Sequence, residues 1–211
     1  NLYIPGCSLQ THWDNAENDR IAYLYELNGR STNDHVSIKG ALEEEEWDYI
    51  SLQQASHDSG IEETYYPYII NLRDYVKKYR PKAEILLHQT WAYEIDSDHK
   101  AFERYNHSQK EMYERLCRAC RRAADELGVR MIPCGDVVQK VRSREPFIYE
   151  KGGMSLCSDG YHMQIPYGRY LLAATWYEFL FDRYILENPY VPDTGHEVEK
   201  NIDPGAMRVL K

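Results

Sequence analysis

Apolar and polar positions alternate in blocks along this chain, and the spacing within the blocks changes from strand-like to helix-like several times. Leu2 to Pro5 is a short apolar run, Gly6-Cys7-Ser8 follows as a turn, and the polar stretch Thr11 to Asp19 comes next, which predicts strand, turn and helix. Arg20 to His35 carries Tyr23, Tyr25 and Leu27 ahead of Asn28-Gly29, a hairpin signal. Ser37 is placed to cap a helix reaching Glu46, and Trp47 to Gln53 reads as a strand. From Ile61 onward Tyr65, Tyr68, Ile69, Leu72, Tyr75, Val76 and Tyr79 recur at helical spacing until Pro81 stops them. Ala83 to His88 is nearly continuous in apolar residues, as an internal parallel strand should be. A second long helix carries Phe102, Tyr105, Met112, Leu116, Cys120, Ala123 and Leu127 on one face, with Gly128 as its stop. Val129 to Pro133 is a short strand, Asp136 to Arg144 a helix, and Tyr167 to Leu186 a final amphipathic helix.

This alternation of helix and strand predicts the α/β class, a three-layer α/β/α domain with a mainly parallel sheet, whose ligands bind outside the carboxyl ends of the strands. Residues 1–187 read as a single domain. Asn188 to Lys211, with three Pro and little apolar periodicity, reads as a surface tail.

Composition narrows the function. The 211 residues suffice for one sizeable core, and the net charge of -9 argues against nucleic acid and anionic lipid as partners, since no basic patch stands apart. No apolar run approaches the ~20 residues of a membrane span; Tyr170 to Leu186 is interrupted by Glu178, Asp182 and Arg183. Composition alone leaves the partner and the oligomeric state open. Cys7, Cys117, Cys120, Cys134 and Cys157 are too few and too irregular for a disulfide framework. Cys117 and Cys120 fall on one side of a helix without a second ligand pair, so packing is expected there and no metal or other cofactor. Nineteen Tyr against four Phe imply half-buried rings with polar tips, which serve wet cores and sugar-binding clefts alike. The chain opens on Asn1 within a strand-like segment. Something removed upstream, a signal peptide included, would imply a secreted or periplasmic location.

In such a sheet chemistry gathers where strands stop. The first strand delivers Gly6-Cys7-Ser8, the next Gln53-Gln54-Ala55-Ser56, and the third His88-Gln89-Thr90-Trp91, while Asp159-Gly160-Tyr161-His162 precedes the last helix. All four are expected on one edge. An Asp and a His three residues apart on a turn can set the carboxylate against one imidazole nitrogen, leaving the other as a general base. A helix-capping Asp beside a surface His gives the same spacing without chemistry.

Ile4-Pro5-Gly6-Cys7-Ser8-Leu9, Trp47 to Ser56, His88-Gln89-Thr90-Trp91-Ala92-Tyr93 and Ser158-Asp159-Gly160-Tyr161-His162 together resemble a bacterial, Bacteroidetes-like branch of the SGNH/GDSL hydrolase superfamily. The resemblance implies a flavodoxin-like fold and a Ser-His-Asp ester hydrolase, with acyl groups on carbohydrates as a frequent substrate class and a small-molecule or carbohydrate ester as the partner. It implies His162 as general base, Asp159 as its orienting carboxylate, and Gly6 with Gln53 or Gln54 as oxyanion donors. Gln here replaces a more usual Gly-x-Asn-Asp motif. His88 and Trp91 are expected to line the substrate cleft.

Two registers remain for the nucleophile. In one, Gly6-Cys7-Ser8-Leu9 is a variant Gly-Asp-Ser-Leu block and Ser8 attacks. In the other, which the flanking residues match better, Gly6 belongs to the second block and the serine lies on an earlier strand outside this chain. Against the second register, loss of an inner strand exposes strand edges and apolar surface, a heavy cost for a fold stable by only ~5–15 kcal/mol. The alternative function is a catalytically inactive carbohydrate-binding or scaffold protein that has lost the serine.

Overall fold

The structure, a computed structural model, describes residues 1–190 and 202–211. Their contacts group them into two compact units, Asn1–His88 with Arg118–Met131 and Gln89–Cys117 with Ile132–Lys211.

In the first unit the apolar run after Pro81 forms β5 (Glu84–His88), which pairs in parallel with β4 (Tyr49–Leu52), in the register Ile50 to Ile85 and Leu52 to Leu87. β6 (Arg130–Ile132) completes a three-stranded sheet in the order β4-β5-β6. Ile85, Leu86 and Leu87 are all buried, as befits a central strand covered on both faces. Ile85 and Leu87 join Ile69, Leu72 and Val76 of α3 (Tyr68–Tyr79) and Ala119 to Leu127 of α4 (Gln109–Leu127) in one apolar core. The parallel α/β architecture expected from the sequence is therefore present.

The opening strand departs from expectation. β1 (Leu2–Tyr3) does not enter the parallel sheet; it pairs antiparallel with β2 (Tyr23–Leu27), itself paired antiparallel with β3 (Arg30–Val36). The cause is local: Asn28 and Gly29 both take positive φ, 52° and 74°, and close the two-residue hairpin their sequence signals. β2 is left with one open edge, and β1 occupies it. α1 (Leu9–Glu17) follows under a Ser8 cap and α2 (Ile38–Glu44) under a Ser37 cap.

Two helices start later than their apolar spacing suggests. Pro67, which lacks an N–H and biases Tyr66 away from helical backbone, delays α3 to Tyr68. Phe102 and Tyr105 lie on a separate 3₁₀ turn, Lys100–Tyr105. Left-handed Asn106 and His107 then redirect the chain, and Ser108 accepts the Glu111 N–H at the head of α4.

The second unit packs α5 (Cys134–Arg142), α6 (Tyr167–Phe181) and α7 (Pro204–Leu210) around Val138, Phe147, Leu156 and Leu171. α7 corrects the expected surface tail for residues 202–211: Asp203 caps it, and Ala206, Met207 and Leu210 are buried in that core. A seven-residue helix holds too few apolar positions for its period to register. The rest of the expected tail, 191–201, lies outside the described residues. Among the described residues no helix is long and apolar enough to cross a membrane.

Candidate catalytic dyad

Ser158 to His162 form a tight turn between Cys157 and Met163, which face each other in an isolated antiparallel bridge. The Ser158 N–H donates to the His162 carbonyl at 2.9 Å, and Gly160 turns the chain at φ +86°. The Asp159 side chain organises this loop. Its Oδ1 accepts the N–H groups of Tyr161 (3.2 Å) and His162 (2.8 Å), and its Oδ2 lies 2.7 Å from His162 Nδ1. Partial burial pushes the Asp159 carboxyl upward, but the hydrogen bonds from the His162 backbone and ring and from the Tyr161 N–H together outweigh it and hold the group below the usual carboxylate range. A carboxylate there accepts from a proton-bearing Nδ1, and in that tautomer of a neutral ring the lone pair belongs to Nε2; the side chain is 69% exposed. The spacing read from sequence thus gives a formed Asp–His dyad, with the Tyr161 ring centroid 4.4 Å from the imidazole.

A cavity of about 510 Å³ opens beside this turn, lined by Asp159, Tyr161, Asp96, Asp98, Tyr149 and Ser155 among others. Three carboxylates and two phenols with no cation give it a negative, hydrogen-bonding wall, and the Tyr149 hydroxyl is fixed on Asp96 Oδ2 at 2.7 Å. Among the described residues no group of three or more His, Cys, Asp or Glu is placed to hold a metal ion.

In the first unit the Gly6 turn and the end of β4 are tied together. Gly6 is exposed at φ +60°, a conformation that favours glycine, and Ser8 Oγ accepts the Thr11 N–H at 3.2 Å while sharing a 3.0 Å bond with Thr11 Oγ1. Gln54 Oε1 accepts the N–H groups of Leu9 (3.0 Å) and Ala55 (2.9 Å), and its Nε2 donates to the Thr64 carbonyl and hydroxyl at 3.0 and 3.1 Å.

The domain model described as DUF4886, a domain of unknown function, matches residues 1–208. The chain belongs to the DUF4886 family. The crystal structure of a DUF4886 family protein from Bacteroides uniformis is similar at 36% identity and a TM-score of 0.87, covering 100% of this chain and 78% of that one. A protein from Slackia heliotrinireducens, provisionally described as an SGNH hydrolase, is similar at 23% identity and a TM-score of 0.50, over 66% of this chain and 69% of that one. That likeness is one of fold, and it is the fold the sequence blocks imply. No functionally curated protein matches the chain.

Several residues of this DUF4886 chain stand differently from their expected roles. Gln54 has both amide hydrogens committed to Thr64, so it ties a loop rather than offering a donor to an oxyanion; Gln53, beside it, is exposed. His88 is 7% exposed, and burial pushes its imidazole down to about 4, so it is a neutral core residue and not a cleft wall. Trp91 is half-buried and spends its indole N–H on the Tyr161 carbonyl at 2.7 Å. The Cys117 and Cys120 thiols are buried, Cys117 against Asp136 Oδ1 (3.1 Å) and Cys120 against the Tyr65 hydroxyl (3.2 Å), in keeping with packing.

Sequence reading missed the polar network beneath the dyad. Glu94 and Arg142, with side chains 3% and 5% exposed, approach to 3.4 Å. Glu94 Oε1 accepts from Gln109 Nε2 (2.7 Å) and Oε2 from Ser155 Oγ (2.8 Å), while Arg142 Nη1 donates to the Ala92 carbonyl (2.8 Å). Neither residue carries a local signal. Each is a charged position inside an otherwise ordinary loop or helix, and only chain folding brings the two together.

Proposed function

We propose that this protein is a serine ester hydrolase of the SGNH type that removes acyl groups, acetyl above all, from carbohydrates. The observation that carries the reading is the 2.7 Å contact from His162 Nδ1 to a carboxylate itself fixed by two backbone N–H groups, on a histidine whose side chain is 69% exposed. That arrangement fixes one imidazole tautomer and stabilises the imidazolium formed when the ring takes a proton. In the reaction a serine hydroxyl attacks the ester carbonyl as His162 Nε2 takes its proton. The tetrahedral oxyanion collapses to an acyl-enzyme as the bond from the carbonyl carbon to the sugar oxygen breaks, and His162 gives the proton to that departing oxygen. Water then repeats the sequence and frees the acid. The polar, tyrosine-bearing cavity beside Asp159 supports a hydroxyl-rich substrate.

The test is hydrolysis of an acetylated xylo-oligosaccharide and of a small acetyl ester. His162→Ala should lower kcat by at least about a thousandfold with the fold intact; a variant as active as its parent refutes the assignment of the base.

A second reading rests on Ser8, whose hydroxyl is engaged as the cap of α1. A dyad with no serine to deprotonate would belong to a carbohydrate-binding protein. A fluorophosphonate probe separates the two. A serine adduct that forms in the parent and fails in His162→Ala supports the hydrolase, whereas no adduct together with retained sugar binding supports the binder.

A further inference from the structure

The dyad stands on a short exposed turn, and an Asp–His pair in such a place is held weakly by its own attraction, because solvent screens it and both side chains lose freedom on pairing. Here the turn is tethered from below at successive carbonyls. The Gly160 carbonyl accepts the Glu94 N–H at 2.7 Å, and the Tyr161 carbonyl accepts the Trp91 indole N–H at 2.7 Å. A third link runs through Ser155, whose Oγ accepts the Cys157 N–H at 3.0 Å and donates to Glu94 Oε2 at 2.8 Å. The segment Trp91 to Ser97 is thus a cradle for the turn, with Glu94 in turn clamped by buried Arg142 and by Gln109. The fit is close: a Cβ on Gly160 would lie 2.9 Å from Ser97 Cα.

We infer that Trp91 is a positioning residue for the dyad, acting through the Tyr161 carbonyl to keep the His162 ring aligned on Asp159. The inference rests on the reading of His162 as general base. The Tyr161 peptide joins Tyr161 to His162, so the bond from Trp91 fixes the backbone immediately before the imidazole. Without it the peptide can rotate, the His162 N–H leaves Asp159 Oδ1, and the ring loses Oδ2. Misalignment of about 1 Å at a reacting group is enough to slow catalysis by a hundredfold.

The experiment compares the parent with Trp91→Phe, which keeps an aromatic ring and deletes the N–H, and with Asp159→Asn. The ring nitrogens of His162 are followed by ¹⁵N NMR at a pH where the imidazole is neutral, alongside thermal unfolding and steady-state kinetics on a small acetyl ester. The parent should show His162 with its proton on Nδ1. Trp91→Phe should shift the nitrogen resonances toward those of Asp159→Asn and lower kcat about tenfold to a hundredfold with KM unchanged. A Trp91→Phe protein with the parent's tautomer overturns the inference, and so does a parent in which Nδ1 carries no excess of the proton. If neither protein hydrolyses the ester but the tautomer shifts as described, the positioning role stands and the hydrolase reading fails. Should Trp91→Phe not fold, exchange of the Trp91 indole proton in the parent decides the matter: strong protection supports the bond to the Tyr161 carbonyl, and exchange as fast as that of a free indole overturns the inference.

Discussion

Acidification should weaken this protein through its buried histidines, and His88 makes the effect calculable. The side chain ends β5 at 7% exposure, and burial lowers its imidazole from 6.5 to about 4. Between those two values the unfolded chain binds a proton that the folded chain refuses. The stability tied to neutral His88 is therefore full above pH 6.5 and drains away as the pH falls toward 4, below which the folded ring is protonated as well. At pH 4.5 and 25 °C this linkage amounts to about 2–3 kcal/mol, against a total of ~5–15 kcal/mol for an ordinary domain. His12, also lowered to about 4 by burial, adds a loss of the same sign. The assay is urea unfolding at pH 7 and pH 4.5 of the parent and of His88→Asn. The substitution will destabilise at both pH values, and carboxylate titration affects both proteins alike, so the difference between their acid-induced losses isolates the imidazole. The parent should lose about 2–3 kcal/mol more than His88→Asn between the two pH values. Equal losses would refute the argument that burial holds His88 neutral.

Ser8→Ala removes the cap of α1 and should cost about 1 kcal/mol, or about 2–4 °C in Tm for a chain of this size; an unchanged Tm would mean the cap is not formed in solution. Gly135→Ala places a methyl 2.1 Å from the Thr90 carbonyl at the head of α5, and should destabilise by at least about 3 kcal/mol in the same unfolding assay. Arg142→Ala strands Glu94 as a buried, unpaired carboxylate and should cost about 3–5 kcal/mol. A loss below about 1 kcal/mol there would show that water or protonation relieves Glu94 unaided.

Much of the candidate site was legible beforehand because its signals are local. The Asp159–His162 spacing closes within five residues, so the carboxylate reaches its own turn's N–H groups and the imidazole without help from elsewhere. Ser8 shows the limit of such reading: a serine after a strand turn serves equally as helix cap and as nucleophile candidate, and its hydroxyl is found on Thr11. Trp91 and His88 read as cleft residues from the sequence because they stand at the end of a strand. Burial of one and the bond from the other to the Tyr161 carbonyl depend on partners far along the chain.

The sequence by itself determined the elements and their kind. Helical spacing over Tyr68 to Tyr79 and Gln109 to Leu127, the apolar run of β5 and the Asn28-Gly29 hairpin are all written in neighbouring residues, because dihedral preference and apolar period act over one or two turns. Tertiary structure decided pairing and burial. Leu2–Tyr3 lies antiparallel on Tyr23–Leu27 because β2 had an edge to fill, α7 is interior because a core offered a place for three side chains, and Glu94 tolerates burial because Arg142 lies opposite. Each of these outcomes depends on the free energy of a group whose partner is distant in sequence, and no local pattern encodes the distance between them.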